Sequence, residues 1–411
     1  MDIYGTYKNL LIISIAQEWL GFPVGALLAV KIEDALNGNI VNNSIKMLFQ
    51  PTETSFLRNV SIGKDQILVN VLENIKGKII HFEKIGKTWF EGNVKGFDED
   101  MLSLASSDNW SNRSFLESES FTNPTSLYFS ENSKEYMRIK SLPQKFDPSK
   151  YEVDQFFSES RDGTKIPYFQ ISRRDMIKNS KNPTLLYGYG GFEISLTPSY
   201  LSAFSRKWID EGGVYVIANI RGGGEYGPEW HQSALKSNRQ RAYDDFISVA
   251  EELIKKEVTS PRNLGIRGGS NGGLLVGAVF TQRPDLFNAV VCAVPLLDMY
   301  RYDKLLAGAS WVDEFGDPDK EDEWEYIKRY SPYQNVFSNK SYPEVYFYTS
   351  TKDDRVHPGH ARKMAKKMID QGHQVIYYEN IEGGHSAASN YEQSAYMSTL
   401  QLEYLIDKLK N

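Results

Sequence analysis

The stretch Leu264-Gly265-Ile266-Arg267-Gly268-Gly269-Ser270-Asn271-Gly272-Gly273 opens as a short apolar strand, and the segment Gly273 to Gln282 behind it has helical periodicity. Between the two lies a serine in the pattern G-x-S-x-G. A strand that turns abruptly into a helix crowds the neighbours of the turning residue, so glycine on both flanks has a steric reason. Ser270 then stands at the helix N-terminus, where free backbone N–H groups and the helix dipole favour an oxyanion. The pentapeptide alone also fits a Gly/Ser-rich loop, so its meaning depends on what the rest of the chain supplies.

A serine hydroxyl needs a base to act as a nucleophile at neutral pH. Of the six histidines, His81 lies in a β-rich half, His231 follows a Gly-rich loop, and His360 and His373 fall on or beside a predicted helix. His357 and His385 are left. Enzymes of the α/β-hydrolase type run in the order Ser, acid, His, with acid and base on loops after late strands. Gly383-Gly384-His385-Ser386 follows the strand-like Gln374 to Tyr378, which favours His385. The preceding strand-like run, Val345 to Thr349, leads into Lys352-Asp353-Asp354-Arg355, and a carboxylate there would hold the imidazole tautomer and stabilise the imidazolium. Spacing does not separate Asp353 from Asp354; the unused one is a solvated aspartate at a turn.

Working outward, Thr184 to Tyr187, Val214 to Asn219, Leu264 to Arg267, Ala289 to Val294 and Val345 to Thr349 alternate with helical stretches at Tyr243 to Lys255, Gly273 to Gln282, Pro358 to Gln371 and Tyr391 to Lys410. That alternation predicts a mainly parallel sheet covered on both faces, an α/β domain over residues 151–411. Residues 1–150 read differently. Short strands at Asn9 to Ala16, Ala26 to Ile32, Gln66 to Val71, Lys78 to Lys84, Met101 to Ala105 and Ser126 to Ser130 are broken by Gly, Asn and Asp, with a brief helical stretch at Ile32 to Leu36. This half is all-β and suits a sandwich or propeller blades; at roughly 45 residues per blade it supplies about three, too few to close a ring.

The 411 residues carry 47 basic and 53 acidic side chains, a net charge of −6, so no general attraction to nucleic acid or to anionic membranes is expected. The single cysteine, Cys292, sits in the apolar run Ala289 to Val294 and reads as a small buried hydrophobe; no disulfide or cysteine-ligated metal site follows, and the cytoplasm fits best. The apolar run Leu10 to Ala16 reads as a strand, because Gln17 and Glu18 end it well short of the ~20 residues that span a bilayer. Gly222 to Gly227 satisfies G-x-G-x-x-G after a strand, but Trp230 and His231 stand where a dinucleotide site needs its helix, and no acid closes the next strand.

Taken together, several segments resemble the prolyl oligopeptidase family of serine peptidases. They are Asp162 to Pro167, Leu186-Tyr187-Gly188-Tyr189-Gly190-Gly191-Phe192, Ala218 to Gly227, Gly268 to Gly273, Asp353-Asp354-Arg355-Val356 and Gly384-His385. They run in family order from about Val153 onward. The resemblance implies a C-terminal α/β-hydrolase domain preceded by an all-β segment like the last blades of a β-propeller. It implies Ser270 as nucleophile, His385 as base and then acid, and Asp353 as the orienting carboxylate. The phenol of Tyr189 and the backbone N–H of Asn271 would hold the oxyanion. Trp311 would stack on a proline ring, Phe192 would line the same pocket, Asn271 would also touch substrate, and Arg355 would bind a peptide carbonyl. Four positions after the tryptophan, where the family usually has tyrosine, this chain has Phe315, and a hydroxyl is lost from the pocket.

A proline ring is a flat apolar body without an N–H, so aromatic walls reward it and leave no donor unpaired. The expected activity is therefore hydrolysis of short peptides after proline through an acyl-enzyme, with no metal or organic cofactor required. The alternatives are an esterase or acylaminoacyl-type hydrolase with the same triad, and a silent remnant acting as an interaction module. Full-length relatives carry a seven-bladed propeller, so the sequence also predicts an N-terminally truncated relative, with a separately encoded upstream propeller fragment as a candidate partner.

Overall fold

The computed structural model describes residues 1–97 and 100–410; Asn411, the last residue of the expected catalytic domain, lies outside the described residues. The chain divides into two compact units, one made of Met1–Pro148 with Thr197–Tyr200 and Glu225–Gly227, the other of Ser149–Leu196, Leu201–Gly224 and the chain from Pro228 onward.

The first unit holds three four-stranded antiparallel sheets among the described residues, each with its strands in chain order. They are β1 (Asp2–Tyr7), β2 (Leu10–Ser14), β3 (Leu27–Lys31) and β4 (Lys46–Phe49), then β5 (Ser55–Ile62), β6 (Gln66–Glu73), β7 (Lys76–Ile85) and β8 (Thr88–Asn93), then β9 (Met101–Ser107), β10 (Ser114–Glu119), β11 (Ser126–Ser130) and β12 (Met137–Ser141). The short helix α1 (Ile32–Leu36) follows β3 where a helical stretch was expected. Successive side chains of a strand point to opposite faces, and β6 uses both. Ile67, Val69 and Val71 pack with Tyr7, Leu10, Ile12 and Leu27 of the first sheet, while Leu68 packs with Leu102 and Leu116 of the third. Sheets stacked in this way are propeller blades.

The second unit is built on one eight-stranded sheet. Its strands are β13 (Tyr151–Glu159), β14 (Lys165–Arg173), β15 (Thr184–Tyr187), β16 (Val214–Ala218), β17 (Leu264–Gly269), β18 (Ala289–Ala293), β19 (Val345–Ser350) and β20 (Val375–Asn380), in the order β13-β14-β16-β15-β17-β18-β19-β20. The pairs β13/β14 and β14/β16 are antiparallel and the rest are parallel. The antiparallel hairpin at the edge was not foreseen in the sequence. The helices are α2 (Ala203–Asp210), α3 (Pro228–Gln232), α4 (Gln240–Lys255), α5 (Asn271–Gln282), α6 (Val312–Phe315), α7 (Glu321–Tyr330), α8 (Gly359–Asp370) and α9 (Tyr391–Lys410). Strand β17 shows how both faces are covered: Ile266 joins the main core with Leu275 and Val279 of α5, whereas Arg267 reaches Gln401 of α9 and lies over Phe204 of α2. Helix α5 is apolar nearly all round and buried from Asn271 to Thr281, as a helix between a sheet and further helices must be. This is an α/β-hydrolase fold. Because β15, β17, β18, β19 and β20 run parallel, the loops leaving their carboxyl ends gather at one edge of the sheet, where such folds place their chemistry.

Candidate active site

Ser270 is the residue between β17 and α5, with φ 60° and ψ −118°. A non-glycine residue there costs of order 1–3 kcal/mol and persists only when its surroundings fix it. They do so here. The Ser270 N–H donates to the Ala293 carbonyl at 2.9 Å, and its carbonyl accepts from Gly273 N at 2.9 Å and Leu274 N at 3.1 Å. A Cβ on Gly268 would fall 2.0 Å from the Gly272 carbonyl oxygen, so the glycine of the motif is a steric requirement of the turn. Asn271 is the first residue of α5, and helix geometry leaves its N–H without an intrahelical acceptor.

The loop after β19 brings Asp353 to His385, which lies on the loop after β20. The two Asp353 carboxylate oxygens are 3.0 and 2.9 Å from His385 Nδ1. The Asp353 side chain is fully buried, and its Oδ1 also accepts the N–H groups of Arg355 (3.0 Å) and Val356 (2.9 Å), so the carboxylate is fixed before it meets the ring. Asp354 is exposed and takes a different part, its Oδ1 accepting the backbone N–H of His385 at 3.3 Å. Spacing had left these two aspartates unresolved; only Asp353 touches the imidazole. Among the described residues no hydrogen bond joins the Ser270 hydroxyl to the His385 ring. His357, the other histidine left open by elimination, is turned to its own loop, where its Nδ1 accepts from Gly359 N at 2.9 Å.

Tyr189, half-buried after β15, is coupled to the same place. Burial pushes its phenol pKa up, and the Ser270 hydroxyl and the Arg355 guanidinium pull it back less than burial raises it. The phenol therefore keeps its proton and remains a donor at neutral pH. Arg355 itself is exposed and has no ion-pair partner among the described residues.

Phe192, Trp311 and Phe315 form one aromatic cluster. Phe192 meets Trp311 edge-on at 6.4 Å and Phe315 edge-on at 5.7 Å between ring centroids. Phe192 is half-buried, whereas Phe315 has no exposed surface and packs against Tyr302 at 5.5 Å. Phe315, which the resemblance places in the pocket, backs Phe192 from inside the core. The Asn271 side chain, for which the resemblance implies a substrate contact, also lies inside. It is buried, its Nδ2 donates to the Tyr189 carbonyl at 2.6 Å, and its Oδ1 accepts from Arg239 Nη2 at 2.7 Å.

The prolyl oligopeptidase family model matches residues 199–411, more than half the chain. The chain belongs to the prolyl oligopeptidase family. An uncharacterized peptidase of Sinorhizobium fredii is 43% identical over 98% of this chain and 56% of its own length. A prolyl endopeptidase of Elizabethkingia miricola is 36% identical over 83% of this chain and 49% of its own. The solved structure of a post-proline cleaving enzyme from Rickettsia typhi covers all of this chain at 35% identity with a TM-score of 0.87, over 60% of its own length. The chain spans between 49% and 60% of the length of these relatives.

Beneath the aromatic cluster the structure holds residues that sequence reading passed over. Glu314, nearly buried, accepts from Phe192 N at 3.0 Å, His231 Nε2 at 2.7 Å and Arg239 Nη1 at 2.9 Å. Burial raises the Glu314 carboxyl pKa, but the His231 hydrogen bond, the Arg239 charge and the Phe192 N–H together outweigh it and hold the group below the ordinary glutamate range. Glu314 lies three residues after Trp311, and His231 four residues beyond the Gly222 to Gly227 stretch, so position relative to the other motifs was the available signal. Gly222 of that stretch has a packing role: a Cβ there would fall 2.5 Å from the Gly190 carbonyl oxygen.

Proposed function

We propose that this chain is a serine peptidase that cleaves short peptides on the carboxyl side of proline, with the domain division 1–150 and 151–411 and a cytoplasmic setting as parts of the same reading. The observation that carries it is the convergence at one sheet edge of a strained serine, a histidine on a buried aspartate, and a protonated phenol beside the serine hydroxyl. His385 takes the Ser270 proton as Oγ attacks the scissile carbonyl. The Asp353 carboxylate steadies the imidazolium, and the oxyanion accepts from the Tyr189 phenol and the Asn271 N–H. His385 then protonates the leaving amine, water deprotonated by the same ring attacks the acyl-enzyme, and the ring returns that proton to Ser270 Oγ as the bond between Oγ and the acyl carbon breaks. Phe192 and Trp311 supply apolar walls for a proline ring, and the exposed Arg355 guanidinium offers donors to a peptide carbonyl. That a relative at 35% identity is described as a post-proline cleaving enzyme supports the preference. No helix of the described residues is long and apolar enough to cross a membrane.

Comparing hydrolysis of an N-blocked prolyl amide, the matched alanyl amide and a simple aryl ester by the purified chain tests this reading. Preference for the prolyl amide is the expected result. Turnover of the ester alone would replace it with the esterase reading, and failure to hydrolyse any of the three would remove the peptidase assignment.

A further inference from the structure

The loop that carries Tyr189 and Phe192 is a conformation the chain does not adopt by itself. Gly190, Phe192 and Glu193 have φ of 62°, 56° and 56°, and two of these are side-chain-bearing residues in the left-handed region. Something must hold them there, and the holding groups meet at one buried guanidinium. Arg239, just before α4, has no exposed surface. Its Nη2 donates to Asn271 Oδ1 at 2.7 Å, and Asn271 Nδ2 donates in turn to the Tyr189 carbonyl at 2.6 Å. Its Nη1 donates to Glu314 Oε1 at 2.9 Å, the same oxygen that accepts the Phe192 N–H at 3.0 Å. Its flat face lies 5.1 Å from the centroid of Phe315, the ring behind Phe192. The loop is pressed onto this array: a Cβ on Gly191 would fall 2.5 Å from Asn271 Nδ2 and 3.1 Å from Arg239 Nη2. One branch of the network ends on the residue that supplies the oxyanion donor, and the other on the residue that supplies a wall of the acyl pocket.

We propose that Arg239 is a positioning residue for the peptidase reaction, setting the Tyr189 phenol through Asn271 and the Phe192 ring through Glu314. The proposal rests on the assignment of Ser270 as nucleophile and Tyr189 as oxyanion donor. It explains why a charge pair is kept where apolar side chains would pack as well: a buried ion pair is seldom worth more to stability than a hydrophobic replacement, whereas it does fix one geometry.

The branches separate in kinetics, because an oxyanion donor acts in the transition state and a pocket wall also acts on bound substrate. Asn271→Ala keeps the backbone N–H and cuts only the first branch; the Arg239→Met/Glu314→Met pair removes both branches without leaving a buried charge alone; Arg239→Lys keeps the charge but not the fork. Each is measured on an N-blocked glycyl-prolyl p-nitroanilide and with a peptidyl-prolinal aldehyde, a transition-state mimic, beside a thermal melt. Asn271→Ala is expected to lower kcat roughly 100-fold, the scale of one lost oxyanion contact, with KM little changed. The double variant is expected to lower kcat comparably and also to raise KM, with aldehyde Ki rising in step with KM/kcat, and Arg239→Lys to recover part of the loss. Wild-type kcat and KM in a folded double variant would overturn the proposal. If that variant does not fold, wild-type kcat in Asn271→Ala overturns it alone, and a lowered kcat with unchanged KM there supports it. A wild-type chain that neither hydrolyses the amide nor binds the aldehyde would instead bring down the peptidase reading on which the proposal stands.

Discussion

The two sides of the site are built differently. On the side of the proposed nucleophile Ser270, Asn271, Tyr189, Arg239 and Glu314 are tied by backbone strain and a buried polar network, with Arg239 and Asn271 fully covered. On the side of the proposed proton carrier His385 stands on a loop in which Ile381, Glu382, Ser386, Ser389 and Asn390 are exposed. That loop is held by hydrogen bonds: Ser350 Oγ donates to the Gly383 carbonyl at 2.5 Å and the Gly384 carbonyl at 3.0 Å, Asn380 Nδ2 donates to the Ala387 carbonyl at 2.8 Å, Gln393 Oε1 accepts from Ser389 N at 2.9 Å, and the two aspartates hold His385 itself. Charge stabilisation is most effective when its donors need no rearrangement, so the oxyanion side is the one that gains from rigidity. A proton carrier must face the nucleophile first and the leaving group afterwards, and a place on an exposed loop suits that task.

The contrast can be broken from either side. Ser270→Ala should bring the largest loss, about 10⁶-fold in kcat on the prolyl amide, with His385→Ala comparable because the two act as a unit. Asp353→Asn should cost about 10⁴-fold by favouring the wrong imidazole tautomer, and an activity–pH profile of the residual rate would check it. Tyr189→Phe, which leaves the loop and its backbone contacts in place, should lower kcat by about 10²–10³-fold with little change in KM. A smaller effect is expected from Asp354→Ala, which removes one hydrogen bond to the His385 backbone and should cost about tenfold or less. A loss from Asp354→Ala as large as that from Tyr189→Phe would mean that the loop side is the more tightly specified of the two.

The smallest expected effect concerns stability. Glu379 on β20, the strand that leads into the His385 loop, receives the Arg362 guanidinium in a two-pronged contact that lowers its carboxyl pKa from the usual 4.5 to about 2. A carboxylate depressed by folding stabilises the native state fully above its unfolded pKa and loses that contribution as pH falls through its folded value. Melting temperatures of wild type and Glu379→Gln should therefore differ by at most a few degrees at neutral pH and converge between pH 4.5 and about 2. Parallel acid limbs for the two proteins would show that the pair carries no such linkage.

Most of the second unit was legible because its strands are continuous apolar runs and its helices keep a clear period. Thr184–Tyr187 and Tyr391–Lys410 were read to the residue, and the strand–turn–helix around Ser270 followed from two glycines. The first unit was legible only where strands are apolar. Strand β10 was missed because its covered face is Ser114, Leu116 and Ser118, so burial leaves no hydrophobic alternation to see. Arg239 was missed for a related reason: Lys236-Ser237-Asn238-Arg239-Gln240-Arg241 reads as a solvated basic stretch, and only the packing of α4 and α6 around it reveals a buried cation. Phe315 was placed in the pocket by the resemblance alone, and its burial behind Phe192 was not legible because a sequence does not give the direction of a ring.

The central claim is tested most directly by treating the purified chain with a fluorophosphonate and mapping the adduct by peptide mass, in wild type, Ser270→Ala and His385→Ala. A single adduct on Ser270, absent from Ser270→Ala and formed far more slowly in His385→Ala, is the expected result. An adduct on a different hydroxyl, or labelling of Ser270 at an undiminished rate without the His385 imidazole, would contradict it.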